Sequence, residues 1–262
     1  MCSPALIPAD LGAGACGYFT TRTAPDGPDS DGGPYAGFNL AVHVGDDTAR
    51  VADHRDRLAQ AIGLASDATG SASGCDRTGI AWMNQVHSTG VAAADASAAP
   101  TADALLLDAR APASAAAAAV LVADCVPVLL AGADGAVVAA VHAGRRGLLM
   151  GIVPAVLAAF GDLGVDPTGI CAAVGPAICG ACYEVPEQLR LEATAVEPAC
   201  HAVTRWGTPG IDLAAGVCAQ LERAGVGGIT RVDRCTYEEP GLYSYRRDGV
   251  TGRQAGVVVP AP

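Results

Sequence analysis

Along the chain, apolar stretches alternate with short polar breaks that carry glycine, proline and aspartate, so the elements can be read in order. Residues 23–34 (TAPDGPDSDGGP) hold only turn chemistry, because Pro fixes φ while Gly and Asp tolerate φ > 0; they predict a surface loop. Residues 38–44 read as a short strand. Asp46 or Asp47 can cap a helix that runs to about Ile62, with Gly63 as its stop. Val51, His54, Leu58 and Ile62 share one face of that helix, which makes His54 a packed histidine rather than a ligand.

Residues 66–79 form a second polar connector, and residues 80–86 predict a strand that delivers His87 at its end. DALLLD (103–108) is a further short strand. Residues 120–130 and 136–141 are apolar and rich in β-branched side chains, and AGADG (131–135) between them has hairpin chemistry, so Cys125 and His142 can sit on neighbouring strands. RRGLLMGIVPAVLAAFG (145–161) is helical in character, but Gly147, Gly151 and Pro154 predict a kink or a late start. Two clearer helices follow. In one, Pro186 takes a first-turn position; in the other, Asp212 caps, Leu213, Val217 and Leu221 form the buried stripe, and Gly225 stops the helix. Residues 229–232 and 255–259 close the chain as strands, and no repeat or linker divides it, so we expect one domain over residues 1–262.

Composition narrows the class. Hydrophobic residues make up 51% of the 262-residue chain and charged residues 16%, which is the profile of a packed globular protein. The formal charge of −11 removes the attraction on which sequence-independent nucleic-acid binding depends, although a local basic patch can still take a small anion. The amino terminus has no basic residue ahead of its apolar stretch, so no signal peptide is expected. Asp124 interrupts the longest apolar run, well short of the roughly 18 residues of a membrane span. The expected location is therefore the cytoplasm, with no membrane partner. Ten cysteines include Cys171, Cys179, Cys182 and Cys200, which tempt a zinc-ribbon reading. No second ligand pair at ribbon spacing follows Cys179 and Cys182, so reduced thiols are the better expectation.

Three apolar stretches each end in a soft-ligand side chain: His87 in NQVH, Cys125 in VADC and His142 in VAAVHAG. Two histidines and a cysteine suit zinc or copper, and three protein ligands leave a position open for chemistry. A bare polar side chain at the end of such a run is costly unless paired or coordinated. The competing account is three separate hydrogen-bonded or packed residues, since a free cysteine packs as a small hydrophobe.

The strings NQVH (84–87), ADALLLD (102–108), VLVADCVPVLLA (120–131), VHAGRRGLLMGIV (141–153), VGPAICGACYEV (174–185) and CTYEEPGLYSYRRDGVTGR (235–253) stand in the order of one known family, and GGPYAGFNLAVHVGDD (32–47) is similar to its opening motif. Through them the chain resembles the bacterial purine nucleoside phosphorylases formerly described as multicopper polyphenol oxidases, or laccase-domain proteins. The resemblance spans about residues 17–259. It implies an α/β fold of layered mixed β-sheets flanked by helices, not a cupredoxin, with zinc or copper at His87, Cys125 and His142. It also implies phosphorolysis of adenosine, inosine and methylthioadenosine, deamination of adenosine, and kinship with cysteine hydrolases. Two departures stand out: Arg145 replaces a Trp that the family usually carries, and TAPDGPDSD is inserted between Arg22 and Gly32.

Roles follow as expectations. Cys125 and His142 sit at the chemistry, and a nearby carboxylate manages protons. Asp103 ranks above Asp124 for that task, because Asp124 in a strand would face away from Cys125. Arg146 is the best phosphate clamp, its fork matching phosphate oxygens, and Gly144 and Gly147 let backbone approach a ligand. Asn39, His43 and Tyr183 are further candidates for contact with substrate. Arg246 and Arg247 read as solvated charge, and His201 as structural. The expected partners are a purine nucleoside and phosphate, and the expected state is a monomer. The rivals are a cysteine hydrolase with Cys125 as nucleophile and His142 as base, a copper-dependent phenol oxidase, and a binding protein without turnover. Five histidines are few for laccase copper centres.

Overall fold

The structure is a computed structural model and describes residues 5–12, 14–27, 32–64, 79–112 and 115–261. In chain order its strands are β1 (Leu6–Ala9), β2 (Cys16–Thr20), β3 (Ile80–Ala81), β4 (Val91–Ala93), β5 (Ala104–Asp108), β6 (Ala117–Val122), β7 (Val126–Gly132), β8 (Val137–Ala143), β9 (Ile170–Val174), β10 (His201–Val203), β11 (Pro209–Ile211), β12 (Gly228–Arg231) and β13 (Gln254–Val259). Its helices are α1 (Thr48–Ala61), α2 (Arg145–Met150), α3 (Ile152–Asp162), α4 (Glu187–Val196), α5 (Leu213–Arg223) and α6 (Tyr245–Asp248).

Two mixed sheets stack face to face, in strand orders β1-β2-β13-β6-β3 and β12-β9-β7-β8-β5-β4. Strand alternation explains the layering. Ala118, Val120 and Val122 of β6 point between the sheets, where they meet Leu129 and Ala131 of β7 and Phe19 of β2. Ala117, Ala119 and Leu121 point outward against Phe38, Leu40 and Leu58 of the 38–41 turn and α1. Val128 and Leu130 face the opposite side, under Leu148, Ile152, Val156, Val217 and Leu221 of α2, α3 and α5. Both faces of β6, β7 and β8 are thus buried, which is why their sequences are almost continuously apolar. This is the layered α/β arrangement expected, and it is not a cupredoxin.

Several local signals hold. Asp47 caps α1 through Ala49 and Arg50, with Gly63 beyond its end at φ 79°; Asp212 caps α5, followed by Gly225 at φ 77°. His54 is fully buried, its Nδ1 2.8 Å from the Asn39 carbonyl. Gly151, at φ 98°, breaks the 145–161 segment into α2 and α3. Pro186 sits at the N-cap of α4, one position before the first turn. Most of the 66–79 connector lies outside the described residues.

Two expectations fail. Residues 38–44 form turns, where the Asn39 amide holds the chain: Oδ1 accepts from the Ala41 and Arg253 N–H groups, and Nδ2 donates to the Ala41 carbonyl and the Asp46 carboxylate. The run from 120 to 130 is not one strand. It breaks at Ala123, Asp124 and Cys125, with Asp124 at φ 93°, and the chain leaves the first sheet there to enter the second.

Leu129 is fully buried between the sheets. Leu129→Ala is expected to lower the unfolding free energy by about 2–5 kcal/mol, as for other core leucines, measured by urea denaturation at constant m-value.

Candidate active site

The crossing from β6 to β7 builds the site. Cys125 precedes β7, and His142 lies near the end of β8, where it pairs with Pro127 in antiparallel register. His87 arrives from the loop ahead of β4. Its sulfur and imidazole partners converge: Cys125 Sγ is 3.8 Å from His87 Nε2, the two histidine rings meet edge-on with centroids 4.7 Å apart, and one ligand atom from each of the three residues lies within 4.8 Å of the others. His142 is buried, Cys125 half-buried and His87 exposed, so the cluster opens to solvent on one side.

Asp103, fully buried, organises this cluster. Its carboxylate accepts from the backbone N–H groups of Val86, His87 and Ser88 (3.3, 2.9 and 2.6 Å), from Ser88 Oγ (2.7 Å) and from His142 Nδ1 (2.8 Å). That last bond fixes the His142 tautomer and leaves its Nε2 for the cluster, the arrangement common to metal-ligating histidines. The bonds to 86–88 curl the loop until His87 adopts φ 60°. Among the described residues, His87 and Asp124 are the two non-glycine positions at positive φ, and both border the site. Gly144 completes the fit, because a Cβ there would stand 2.6 Å from the His87 ring and 3.2 Å from Cys125 Sγ.

Protonation follows from these contacts. Burial alone would raise the Asp103 carboxyl, but the bonds from His142 and Ser88 outweigh it and hold Asp103 well below the usual carboxylate range. Burial would raise the Cys125 thiol, yet His142 and His87 bring it down to about 6. His142 goes the other way: burial disfavours its charge, and Cys125 and Asp103 raise it to about 9.

Beside the triad lies a cavity of about 300 Å³, bordered by Asp124, Arg145, Arg146, Tyr183, Tyr245 and Arg246 among others. It sits near the lower end of the ~300–1,000 Å³ range of small-molecule sites. Arg246 stacks 4.9 Å from the centre of the Tyr183 ring. Three arginines in the cavity lining of a chain with net charge −11 make a local concentration of positive charge.

The expected residues distribute unequally. Cys125, His142, His87, Arg146 and Tyr183 meet at the cavity or the triad. Asp103 is placed behind His142, and its oxygens are engaged by the 86–88 loop and that ring. Asp124 is the carboxylate on the cavity wall, because the positive φ defeats simple strand alternation; its oxygens accept from Thr236 Oγ1 and the Arg246 N–H, both at 2.6 Å. Asn39 is fully buried and holds the 39–46 turn, outside the cavity lining. His43 is exposed and also outside it; partial burial and the nearby Arg253 and Arg55 lower its pKa. Arg246 was masked in the sequence by its adjacency to Arg247, which does serve structure by donating to the Thr236, Tyr237 and Leu242 carbonyls.

Comparison with known proteins shows the family. Residues 18–261 match the family model described as multi-copper polyphenol oxidoreductase laccase, and the chain belongs to that family. Its relatives include proteins named purine nucleoside phosphorylase: one from Streptomyces coelicolor is 48% identical over 86% of this chain and 88% of its own, and one from Corynebacterium glutamicum is 46% identical over 86% and 87%. Among solved structures, a Neisseria meningitidis protein superposes with a TM-score of 0.80 at 33% identity, covering 98% of this chain and all of that one. YlmD from Geobacillus stearothermophilus gives 0.79 at 30% identity, with 95% and 93% coverage.

Metal loading of the triad must displace protons, since the ligands are a neutral imidazole and a thiolate. His142 keeps its proton up to about pH 9 in the free site, whereas Cys125 has lost its own above about 6. Zinc affinity should therefore rise about tenfold per pH unit between these values and more steeply below them. Calorimetry in buffers of different ionisation enthalpy, taken as the difference between the wild type and Cys125→Ala, should assign about one released proton to the zinc of the triad at pH 7.5; no release would contradict the His142 assignment.

Proposed function

We propose that this protein is a metal-dependent purine nucleoside phosphorylase acting on adenosine, inosine and methylthioadenosine with phosphate. The observation that carries the reading is a cavity lined by Arg145, Arg146 and Arg246 together with His87 and Cys125 of the soft three-residue ligand cluster. His87, Cys125 and His142 would hold zinc, or copper; when bound, the ion would supply a Lewis acid beside the substrate. Arg146, with Arg145 and Arg246, holds phosphate through charge-assisted bonds and brings it up to the anomeric carbon. Tyr183 and Tyr245 offer faces for the base. Asp124 offers carboxylate lone pairs to a base N–H or a ribose hydroxyl. Arg145, set by the family resemblance against an expected Trp, adds a third cation to the cavity lining.

Deamination of adenosine is kept as a secondary activity and has less support, because it asks a carboxylate to shuttle protons: Asp103 is engaged by the 86–88 loop and His142, and Asp124, on the cavity wall, already accepts from Thr236 Oγ1 and the Arg246 N–H. A cysteine-hydrolase reading draws on the lowered Cys125 thiol and the raised His142 imidazole, the pairing of an activated nucleophile with its base. Stringent chelation separates the two, since it abolishes turnover only in the first.

With adenosine or inosine and phosphate, the zinc-loaded protein is expected to yield adenine or hypoxanthine together with ribose 1-phosphate. Arg146→Ala should raise the KM for phosphate by about tenfold or more, the worth of a charge-assisted bond. Release of free base without dependence on phosphate would overturn the reading.

A further inference from the structure

A second cluster of soft ligands lies outside the triad. Cys179 and Cys182 follow β9 in a tight turn, where the Cys182 and Tyr183 N–H groups both donate to the Cys179 carbonyl (2.9 and 3.0 Å). A bridge between Ala177 and Cys235 brings the 235–239 segment alongside, although Cys235 is 56 residues from Cys179. One ligand atom from each of Cys179, Cys182, Cys235 and Glu238 lies within 4.8 Å of the rest. Cys171 and Cys200 are elsewhere: Cys171 is on β9, and Cys200 is in the helical core. Ribbon spacing thus points to the wrong partners, because Cys235 and Glu238 are the residues that stand beside Cys179 and Cys182.

We propose that Cys179, Cys182, Cys235 and Glu238 form a second metal centre that holds zinc with four protein ligands and no open position, a structural site rather than a catalytic one. Three features of the surroundings fit bound thiolates. The Cys179 N–H points at Cys235 Sγ (3.4 Å), and the Ala181 N–H at Cys179 Sγ. Arg205 places its guanidinium 3.0 Å from Cys182 Sγ and pairs with Glu238, so a cation offsets the excess negative charge that three thiolates and a carboxylate leave around a divalent ion. Cys182 and Cys235 are buried while Glu238 is exposed, which gives an ion a way in. A disulfide would use two of the sulfurs and leave the third sulfur and the carboxylate without a purpose. Zinc entry releases the protons of those thiols that are still protonated.

The centre would staple two segments of the cavity wall. Residues 177–183 carry Ile178 and Tyr183 to the cavity, and the 235–239 segment carries Thr236, which bonds Asp124. The two metal centres make different demands: the triad is open to substrate, and the thiol cluster holds its wall in place.

Metal content tests this without reference to turnover, so its failure is distinct from failure of the phosphorylase reading. Full-length protein purified under reducing conditions, loaded with zinc and desalted, should hold about two equivalents by plasma mass spectrometry. Cys125→Ala should hold about one, and Cys235→Ser should also hold about one. Should Cys235→Ser fail to fold, cobalt-loaded Cys125→Ala decides: it should keep a thiolate-to-cobalt charge-transfer band of three-thiolate intensity, reduced by about a third in the double variant Cys125→Ala/Cys179→Ser. About one equivalent in the wild type with none in Cys125→Ala, absence of that band, or a Cys179–Cys182 disulfide in the purified protein would overturn the proposal.

Discussion

The hydrogen bonding of one buried carboxylate, Asp103, is the constraint on which the rest of the site depends. A buried charge is costly unless every lone pair finds a donor, and Asp103 finds five in two elements that are otherwise remote: four in the 86–88 loop and one on His142. Its own carbonyl also accepts from the His142 N–H at 2.8 Å, which extends the β5–β8 ladder to the site. Meeting these demands bends the loop, sets His87 at a backbone angle that a histidine seldom adopts, and holds His142 in one tautomer. The geometry of the triad is therefore a by-product of satisfying a carboxylate that is itself outside the lining of the cavity described above.

A second constraint is the passage of the chain between sheets. β6 and β7 belong to different layers, and only Ala123, Asp124 and Cys125 join them. A three-residue crossing needs a sharp reversal, which Asp124 provides at φ 93°. The same reversal turns both Asp124 and Cys125 toward the cavity. Thr236 and the Arg246 N–H then lock the Asp124 carboxylate, and Arg246 is carried onto the wall. In this way the charged lining, the thiol and the layer exchange arise from one local distortion.

What the sequence reveals divides along these lines. Apolar runs, caps and stop glycines located α1, α5 and the strand pair β7–β8, because those signals are local and the burial of both faces leaves a long apolar record. The triad was legible for the same reason, since each member ends such a run. Asp124 was misplaced because alternation was extended through a break that no residue type announces. Residues 38–44 looked like a strand because Phe38 and Leu40 are buried, yet the Asn39 amide takes over the local hydrogen bonding. Cys235 was missed because a bridge between distant segments, not spacing, brings it to Cys179 and Cys182.

Zinc affinity of Asp103→Asn, read by competition with a chromophoric chelator alongside far-UV circular dichroism, tests the organising role of this carboxylate most directly. An amide keeps the size of the side chain but offers one acceptor oxygen, so the 86–88 loop and the His142 ring can no longer both be satisfied. Affinity at the triad should fall about 10–100-fold with the fold retained, the usual effect of removing an outer-shell partner of a ligating histidine. An unchanged affinity in a folded variant would contradict the account.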